Sequence, residues 1–418
     1  MKTNPFLLVV EDSRSFARMA AHALQTALGV DVQVADSLAA AARMLHGVTP
    51  DHVQIVTGLS LPDGSDAEVV RFFAERGHAP VVLTALYDDV TRARMLELPV
   101  ADYVPKDSPA CLEVLTVLVR RCLRNRTVTA LVVEDSVAMR QHLCTLLTLQ
   151  GFHVLTAADG REGLAVAARH PDIRLVLTDY AMPVMDGIEM IRELRRHHPR
   201  EEMAIIGLSG SAAPHDGGAL SARFLKGGAS DFLTKPFERE ELDCRIALNL
   251  DMLDSFAQLR DMAIRDFLTG LYNRRHFFAR AASVLRQAAR PAVVMIDVDW
   301  FKRINDTHGH DAGDMVLRDL AAVLSSRLRE GDVLARFGGE EFCLLTPDLA
   351  PADAPILLER LRAAVANHVV TLENGTLTAT ISIGAALGPA ESIDALLARA
   401  DSALYRAKQG GRNRFELG

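Results

Sequence analysis

Short runs of β-branched residues alternate with amphipathic helical stretches over residues 6–124. Leu7–Val10, Val32–Ala35, Val53–Val56, Val81–Thr84 and Asp102–Val104 read as strands. Between and after them, Ser13–Leu28, Leu38–His46, Asp66–Arg76, Asp88–Leu98 and Ala110–Arg124 carry helical periodicity. The alternation returns over residues 130–248, where Val9-Val10-Glu11-Asp12-Ser13 recurs as Val132-Val133-Glu134-Asp135-Ser136. Such self-similarity marks a duplicated domain. Repeated βα units of this length predict a doubly wound parallel sheet in each copy, with ligands at the carboxyl ends of the strands.

From Glu238 to Arg265 a helical pattern runs without Gly or Pro. Leu242, Ile246, Asn249, Leu253, Phe256, Arg260 and Ala263 fall at alternating spacings of four and three, a heptad-like seam interrupted by Asn249 and Arg260. A short parallel coiled coil between two chains and an amphipathic helix resting on its own domain fit this pattern equally. Beyond it lie an apolar strand, Ala292 to Ile296, and two short strands around Arg336-Phe337-Gly338-Gly339-Glu340-Glu341-Phe342. The paired glycines predict a hairpin turn that a ligand can approach closely. The adjacent carboxylates repel one another, and Mg²⁺ shared with substrate phosphates is the natural occupant.

A length of 418 residues suits roughly three domains of ~100–200 residues. With 49% hydrophobic and 24% charged residues the composition is that of a soluble globular protein. The net charge of −8, without a Lys/Arg-rich run, argues against nucleic acid as a partner. No signal peptide or membrane-length apolar run is visible, so a cytoplasmic location without membrane insertion is expected. The 5 cysteines are scattered and lack CxxC spacing, which fits free thiols in a reducing compartment.

The strand ends of the second copy carry Glu134 and Asp135, then Asp179 before Tyr180-Ala181-Met182-Pro183, then Ser209, and finally Lys235. This set resembles the receiver domain of response regulators. The resemblance implies that Asp179 is the phosphorylated nucleophile, with Glu134, Asp135 and Asp179 around Mg²⁺. It further implies that Ser209 and Lys235 meet the phosphoryl oxygens and that Phe232 is the switch aromatic. A histidine kinase or phosphotransfer protein would be the phosphoryl donor. The first copy keeps Glu11-Asp12, Thr84 and Lys106, but Gly58 stands where the acceptor aspartate belongs. Glycine has no nucleophile, so the first copy reads as a pseudo-receiver with an adaptor role.

The last segment opens with Asp266-Phe267-Leu268-Thr269-Gly270-Leu271-Tyr272-Asn273-Arg274 and continues through Asp297-Val298-Asp299-Trp300-Phe301-Lys302 to the hairpin. It closes with Lys408-Gln409-Gly410-Gly411-Arg412-Asn413. Residues 266–414 resemble the GGDEF diguanylate cyclases, in a GGEEF form. The resemblance implies a palm-like α+β domain related to nucleotidyl cyclases, which condenses two GTP into cyclic di-GMP and pyrophosphate across a homodimer. It places Mg²⁺ on Asp297, Glu340 and the Val298 carbonyl, and makes Glu341 the acid/base or second-metal residue. Gly338 and Gly339 would approach the α-phosphate and ribose. Lys302, Lys408, Arg412 and the amides of Trp300 and Phe301 would hold the β- and γ-phosphates. Asn305 and Asp314 would read guanine. Arg329 and Asp332, with Arg360 as a third member, match the family's product-inhibition site.

The expected architecture is an α/β multidomain chain: a flavodoxin-like (βα)5 pseudo-receiver at 1–124, a second such receiver at 128–248, a helical connector at 238–265 and the cyclase domain at 266–418. A non-catalytic cyclic di-GMP receptor or a phosphorylation-dependent scaffold is the alternative reading.

Overall fold

The computed structural model describes residues 6–85, 97–210, 217–372, 375–388 and 392–418. It divides into two compact units, residues 1–257 and 258–418. The first unit holds two five-stranded sheets. In one, Asp31–Ala35, Phe6–Val10, Val53–Gly58, Val81–Thr84 and Asp102–Pro105 lie side by side in that order, all parallel. In the other, His153–Ala157, Thr129–Val133, Ile173–Asp179, Ala204–Gly210 and Asp231–Lys235 repeat the same order. This is the flavodoxin-like arrangement. The inner strands Phe6–Val10 and Val53–Gly58 are buried at every residue, which is why they read as unbroken apolar runs. The expected helix Asp88–Leu98 falls almost wholly outside the described residues.

The junction between the two copies is polar and partly buried. Asn125 is fully buried and donates to the Gln150 carbonyl at 3.2 Å. Arg126 donates to the carbonyls of Asp51 and Val53 at 2.9 and 2.8 Å and to Gln54 Oε1 at 3.0 Å. The first copy also grips the long helix Arg239–Ile264. Tyr103 donates to Glu240 at 2.6 Å, and Arg239 donates to the carbonyls of Val100 and Ala101 at 2.6 and 3.0 Å. Arg124 pairs with Asp251 and, at 3.5 Å, with Asp254.

That helix corrects the expected seam. Leu242, Ile246, Asn249 and Leu253 are all buried, the apolar three against the second sheet's own core. Asn249 keeps its amide satisfied on the Arg245 carbonyl at 2.9 Å. The first half of the heptad pattern is therefore the domain's own packing face. A different stripe is open to solvent: Leu248, Met252, Leu259 and Met262, which also fall at heptad-compatible spacing.

The second unit is built on a six-stranded sheet in the order Tyr272–Asn273, Val333–Gly338, Glu341–Thr346, Ala292–Val298, Ile381–Leu387, Phe415–Leu417. The four inner strands pair antiparallel and the two short outer ones parallel. Helices cover both faces, so Ala292–Val298 is buried along its whole length. The register sets Asp297 opposite Glu341, which brings the end of the apolar strand and the start of the hairpin's return strand together.

Candidate functional site

Val333–Gly338 and Glu341–Thr346 close on a two-residue turn, Gly339-Glu340. Gly339 has φ +50°, in the left-handed region that glycine takes without strain. The turn is braced from outside by Arg336. Its Nε and Nη2 donate to the Gly339 carbonyl at 3.0 and 2.8 Å, and its Nη1 donates to Asp266 at 3.1 and 3.3 Å. The opening Asp266-Phe267-Leu268-Thr269 segment and the hairpin are thus one tied structure.

Asp297 is buried and pairs with Lys408 Nζ at 2.7 Å. Burial holds its carboxyl above the usual range, against the pull of Lys408. Glu340 is raised as well, by burial and then by the negative charge of Asp297 beside it. Two half-desolvated carboxylates in mutual repulsion offer oxygen ligands that fit a hard divalent cation, with the Lys408 ammonium against Asp297 in this structure. The Glu340 carbonyl accepts from the Val298 amide at 3.3 Å, which fixes the turn against the strand.

The charge of Arg412 also acts on Asp297, and other expected residues lie on the helix that follows the strand. Lys302 lies in the helix Phe301–His308, which starts right after Trp300, and Asn305 lies in the same helix. Asn305 Oδ1 is buried without a hydrogen-bond partner, and a side chain at Gly313 would sit 1.9 Å from it. An orphaned acceptor beside Asp314 suits a base that presents N–H donors. Arg412 lies with its guanidinium 3.9 Å above the Trp300 ring.

One residue that sequence reasoning passed over organises this corner. Asp299 is buried and accepts from Thr380 Oγ1 at 2.7 Å, Ser382 Oγ at 2.6 Å and the Asn413 amide at 2.9 Å. It binds the Gly410–Asn413 turn to the sheet. The signal was the second acid of Asp297-Val298-Asp299 at the end of an apolar run.

In the second receiver-like sheet, carboxylate oxygens of Glu134, Asp135 and Asp179 lie within 4.8 Å of one another. Lys235 Nζ donates to Asp179 and to Glu134, at 2.6 Å each. Burial raises the Glu134 carboxyl, and Lys235 opposes this. Burial alone would lower the Lys235 ammonium, but its bonds to Asp179 and Glu134 raise it. Ser209 is buried at the end of the neighbouring strand, and Phe232 packs on Phe224 with ring centroids 5.2 Å apart. An all-oxygen trio fits Mg²⁺. In the first sheet Lys106 pairs with Glu11 at 2.8 Å. Asp63 instead caps the helix Leu38–Met44, accepting from the amides of Leu38 and Ala39 at 2.8 Å each.

Away from the hairpin, Arg329, Asp332 and Arg360 line a cavity of about 500 Å³ together with Thr346 and Asp348. Arg329 Nε lies 3.5 Å from the buried Asp332 carboxylate, and Arg360 donates to the Arg327 carbonyl at 2.9 Å.

Comparison with known proteins agrees with this layout. Residues 130–247 match the response regulator receiver domain, and residues 263–414 match the diguanylate cyclase GGDEF domain. The chain thus carries a receiver domain and a GGDEF domain. It is similar to the response regulator PleD of Caulobacter vibrioides, 34% identical over 298 residues, which are 68% of this chain and 64% of PleD. The chain thus matches less than two thirds of that relative's length. It is 44% identical over 163 residues to the diguanylate cyclase DgcP of Pseudomonas aeruginosa, covering 38% of this chain and 24% of DgcP. A crystal structure of a two-component system response regulator/GGDEF domain protein superimposes on 60% of this chain and all of its own, with TM-score 0.53 and 39% identity. Among the described residues no helix is long and apolar enough to cross a membrane.

Proposed function

We propose that this protein is a response regulator whose GGDEF domain condenses two GTP into cyclic di-GMP, under control of phosphorylation at Asp179. The observation that carries the reading is the meeting of Asp297, Glu340 and Glu341 at a glycine turn, with Lys408 and Arg412 beside them. The names of PleD, a response regulator, and DgcP, a diguanylate cyclase, support it.

In this reading Asp297, Glu340 and the Val298 carbonyl would hold Mg²⁺, which supplies charge neutralisation at the α-phosphate. Glu341 takes the proton from the 3′-hydroxyl that attacks the α-phosphate of the second GTP. Pyrophosphate leaves, and Lys302, Lys408, Arg412 and the amides of Trp300 and Phe301 hold its charge. Gly338 and Gly339 let the α-phosphate and ribose come close to the backbone. Asn305 and Asp314 accept from guanine N–H groups, and adenine offers the wrong pattern to a carboxylate. Each domain holds one GTP, so the product forms between two copies. The open stripe Leu248, Met252, Leu259 and Met262 is the surface through which the copies join.

Upstream, Asp179 becomes the acyl phosphate, given by a histidine kinase or phosphotransfer protein. Glu134, Asp135 and Asp179 would hold Mg²⁺ there, Ser209 and Lys235 meet the new oxygens, and Phe232 reports the change. The first domain, without an acceptor, is an adaptor on the second. Product binding at Arg329, Asp332 and Arg360 provides feedback.

The test is product formation from GTP and Mg²⁺ by the full chain, with and without beryllofluoride, beside an Asp179→Asn control. Stimulation of the wild type alone supports the whole scheme. Equal rates in both keep the cyclase but remove Asp179 control. No product at concentrations that dimerise would favour a non-catalytic receptor.

A further inference from the structure

Trp300 breaks two expectations at once. It has φ +57° and ψ +28°, a left-handed conformation that a bulky aromatic residue adopts only at a cost. Its side chain is also 61% exposed, although it is the only tryptophan of the chain. Neither burial nor backbone preference explains the residue. Its one described ring partner is Arg412, whose guanidinium carbon lies over the ring 3.9 Å from its centroid.

From this we infer that the Trp300 indole is a positioning platform for Arg412, fixing the guanidinium for the triphosphate tail of the nucleotide. The inference rests on the cyclase reading of the site. Arg412 is pinned at its other end too. Its amide donates to the Ala407 carbonyl at 3.1 Å, and the next amide, Asn413, donates to Asp299 at 2.9 Å. A guanidinium lying flat on a ring is held by the ring's quadrupole and loses no hydrogen-bond donor, because its N–H groups point outward in its own plane. A free arginine surrenders rotamer freedom when it grips a phosphate, and the stack removes that loss beforehand. The platform therefore acts on nucleotide affinity rather than on the bond-making step.

The left-handed backbone makes this separable from a structural role. Asparagine enters that region more readily than tryptophan. Trp300→Asn should keep or raise the melting temperature while weakening nucleotide binding, and a residue kept for folding would do the reverse.

The experiment measures binding of 3′-deoxy-GTP, which lacks the attacking hydroxyl, to the full chain by calorimetry, together with steady-state kinetics on GTP. The variants are Trp300→Asn, Trp300→Tyr, Arg412→Ala and the Trp300→Asn/Arg412→Ala pair. Trp300→Asn should weaken binding by about two- to fivefold, raising KM with kcat nearly unchanged. Trp300→Tyr should restore most of it. Once Arg412 is gone, Trp300→Asn should cost nothing further; the Trp300 emission should respond to nucleotide in the wild type and lose most of that response in Arg412→Ala. Additive losses in the pair, wild-type affinity in Trp300→Asn, or a fall in kcat alone would overturn the platform. Should Trp300→Asn fail to fold, Trp300→Gly, which takes the left-handed backbone without strain, replaces it in the affinity cycle, and Arg412→Ala alone reads the Trp300 emission. A chain that shows this coupling yet forms no cyclic dinucleotide would sink the cyclase reading and leave the platform standing.

Discussion

Lys106 donates to both carboxylate oxygens of Glu11, at 2.8 Å each, directly beside Gly58. In the second receiver-like sheet the equivalent lysine, Lys235, divides itself between Glu134 and Asp179. In the first sheet glycine stands at position 58, and the lysine spends both of its described carboxylate bonds on Glu11. A Cβ at position 58 would lie 2.6 Å from Glu11 Oε2, the end of a side chain that can swing aside. Gly58→Asp should therefore fold with a lower melting temperature in chelator and recover it as Mg²⁺ is added. The wild-type first domain should gain far less. Equal Mg²⁺ dependence of the two melting curves would contradict this account.

Asp243 is buried between the two sheets, close to Arg239, Arg121 and Asp102. Burial first, with Asp102 adding to it, pushes its carboxyl up to about 6, against the pull of Arg239 and Arg121. A raised acid stabilises the fold while it is protonated, and that contribution is lost as pH rises from the unfolded value through about 6. Asp243→Asn keeps the neutral shape at all pH. Its advantage over the wild type should be absent near pH 4 and grow to on the order of 1–3 kcal/mol by pH 8. Urea unfolding at the two pH values reads the difference.

The two faces of Arg239–Ile264 separate folding from assembly. Met252→Asp lies on the open stripe and Leu253→Asp in the core of the second sheet. The first should leave the melting temperature within about 2 °C and shift sedimentation toward the monomer, with specific activity falling as the chain is diluted. The second should unfold the receiver. A Met252→Asp protein that sediments like the wild type would move the dimer surface elsewhere.

Arg336 joins Asp266 to the Gly339 carbonyl by a planar fork, and a lysine has no such fork. Arg336→Lys should lower kcat by about tenfold or more through a loosened turn, with Asp297 and Glu341 intact. Its melting temperature should fall only slightly. Unchanged kcat would show that the hairpin holds itself.

Arg329→Ala removes a side chain from the cavity that also holds Asp332 and Arg360. Initial rates from GTP should match the wild type, while the plateau reached as product accumulates should rise severalfold. A plateau that does not move would remove feedback from this cavity.

Much of this was written in local pattern. The strand ends that carry Glu134, Asp179, Ser209 and Lys235 follow from β-branched runs closed by polar residues, and the structure sets them at the ends of neighbouring strands. The hairpin was legible from the glycines and the flanking apolar residues, but its turn is Gly339-Glu340 and not the glycine pair, because Gly338 pairs with Glu341 as the last strand residue. What escaped depends on distant partners. The face of Arg239–Ile264 that packs inward and the face left open have the same heptad period, and only the sheet beside the helix decides between them. Asp299 looked like one more strand-end acid until Thr380, Ser382 and Asn413 arrived from the other end of the domain. The partnership of Trp300 and Arg412 likewise spans residues that no periodicity links.

The helix Arg239–Ile264 is unbroken over 26 residues, a rod of about 39 Å at 1.5 Å per residue. Such a rod transmits angle as faithfully as position. Each residue added to it turns everything downstream by about 100°, while seven residues bring it nearly back to the starting azimuth. The number of residues between receiver and cyclase is in this sense a phase setting. Insertions of one or two residues, which turn it by about 100° and 200°, should lower beryllofluoride-stimulated cyclic di-GMP formation from GTP, and an insertion of seven should leave it near the wild type.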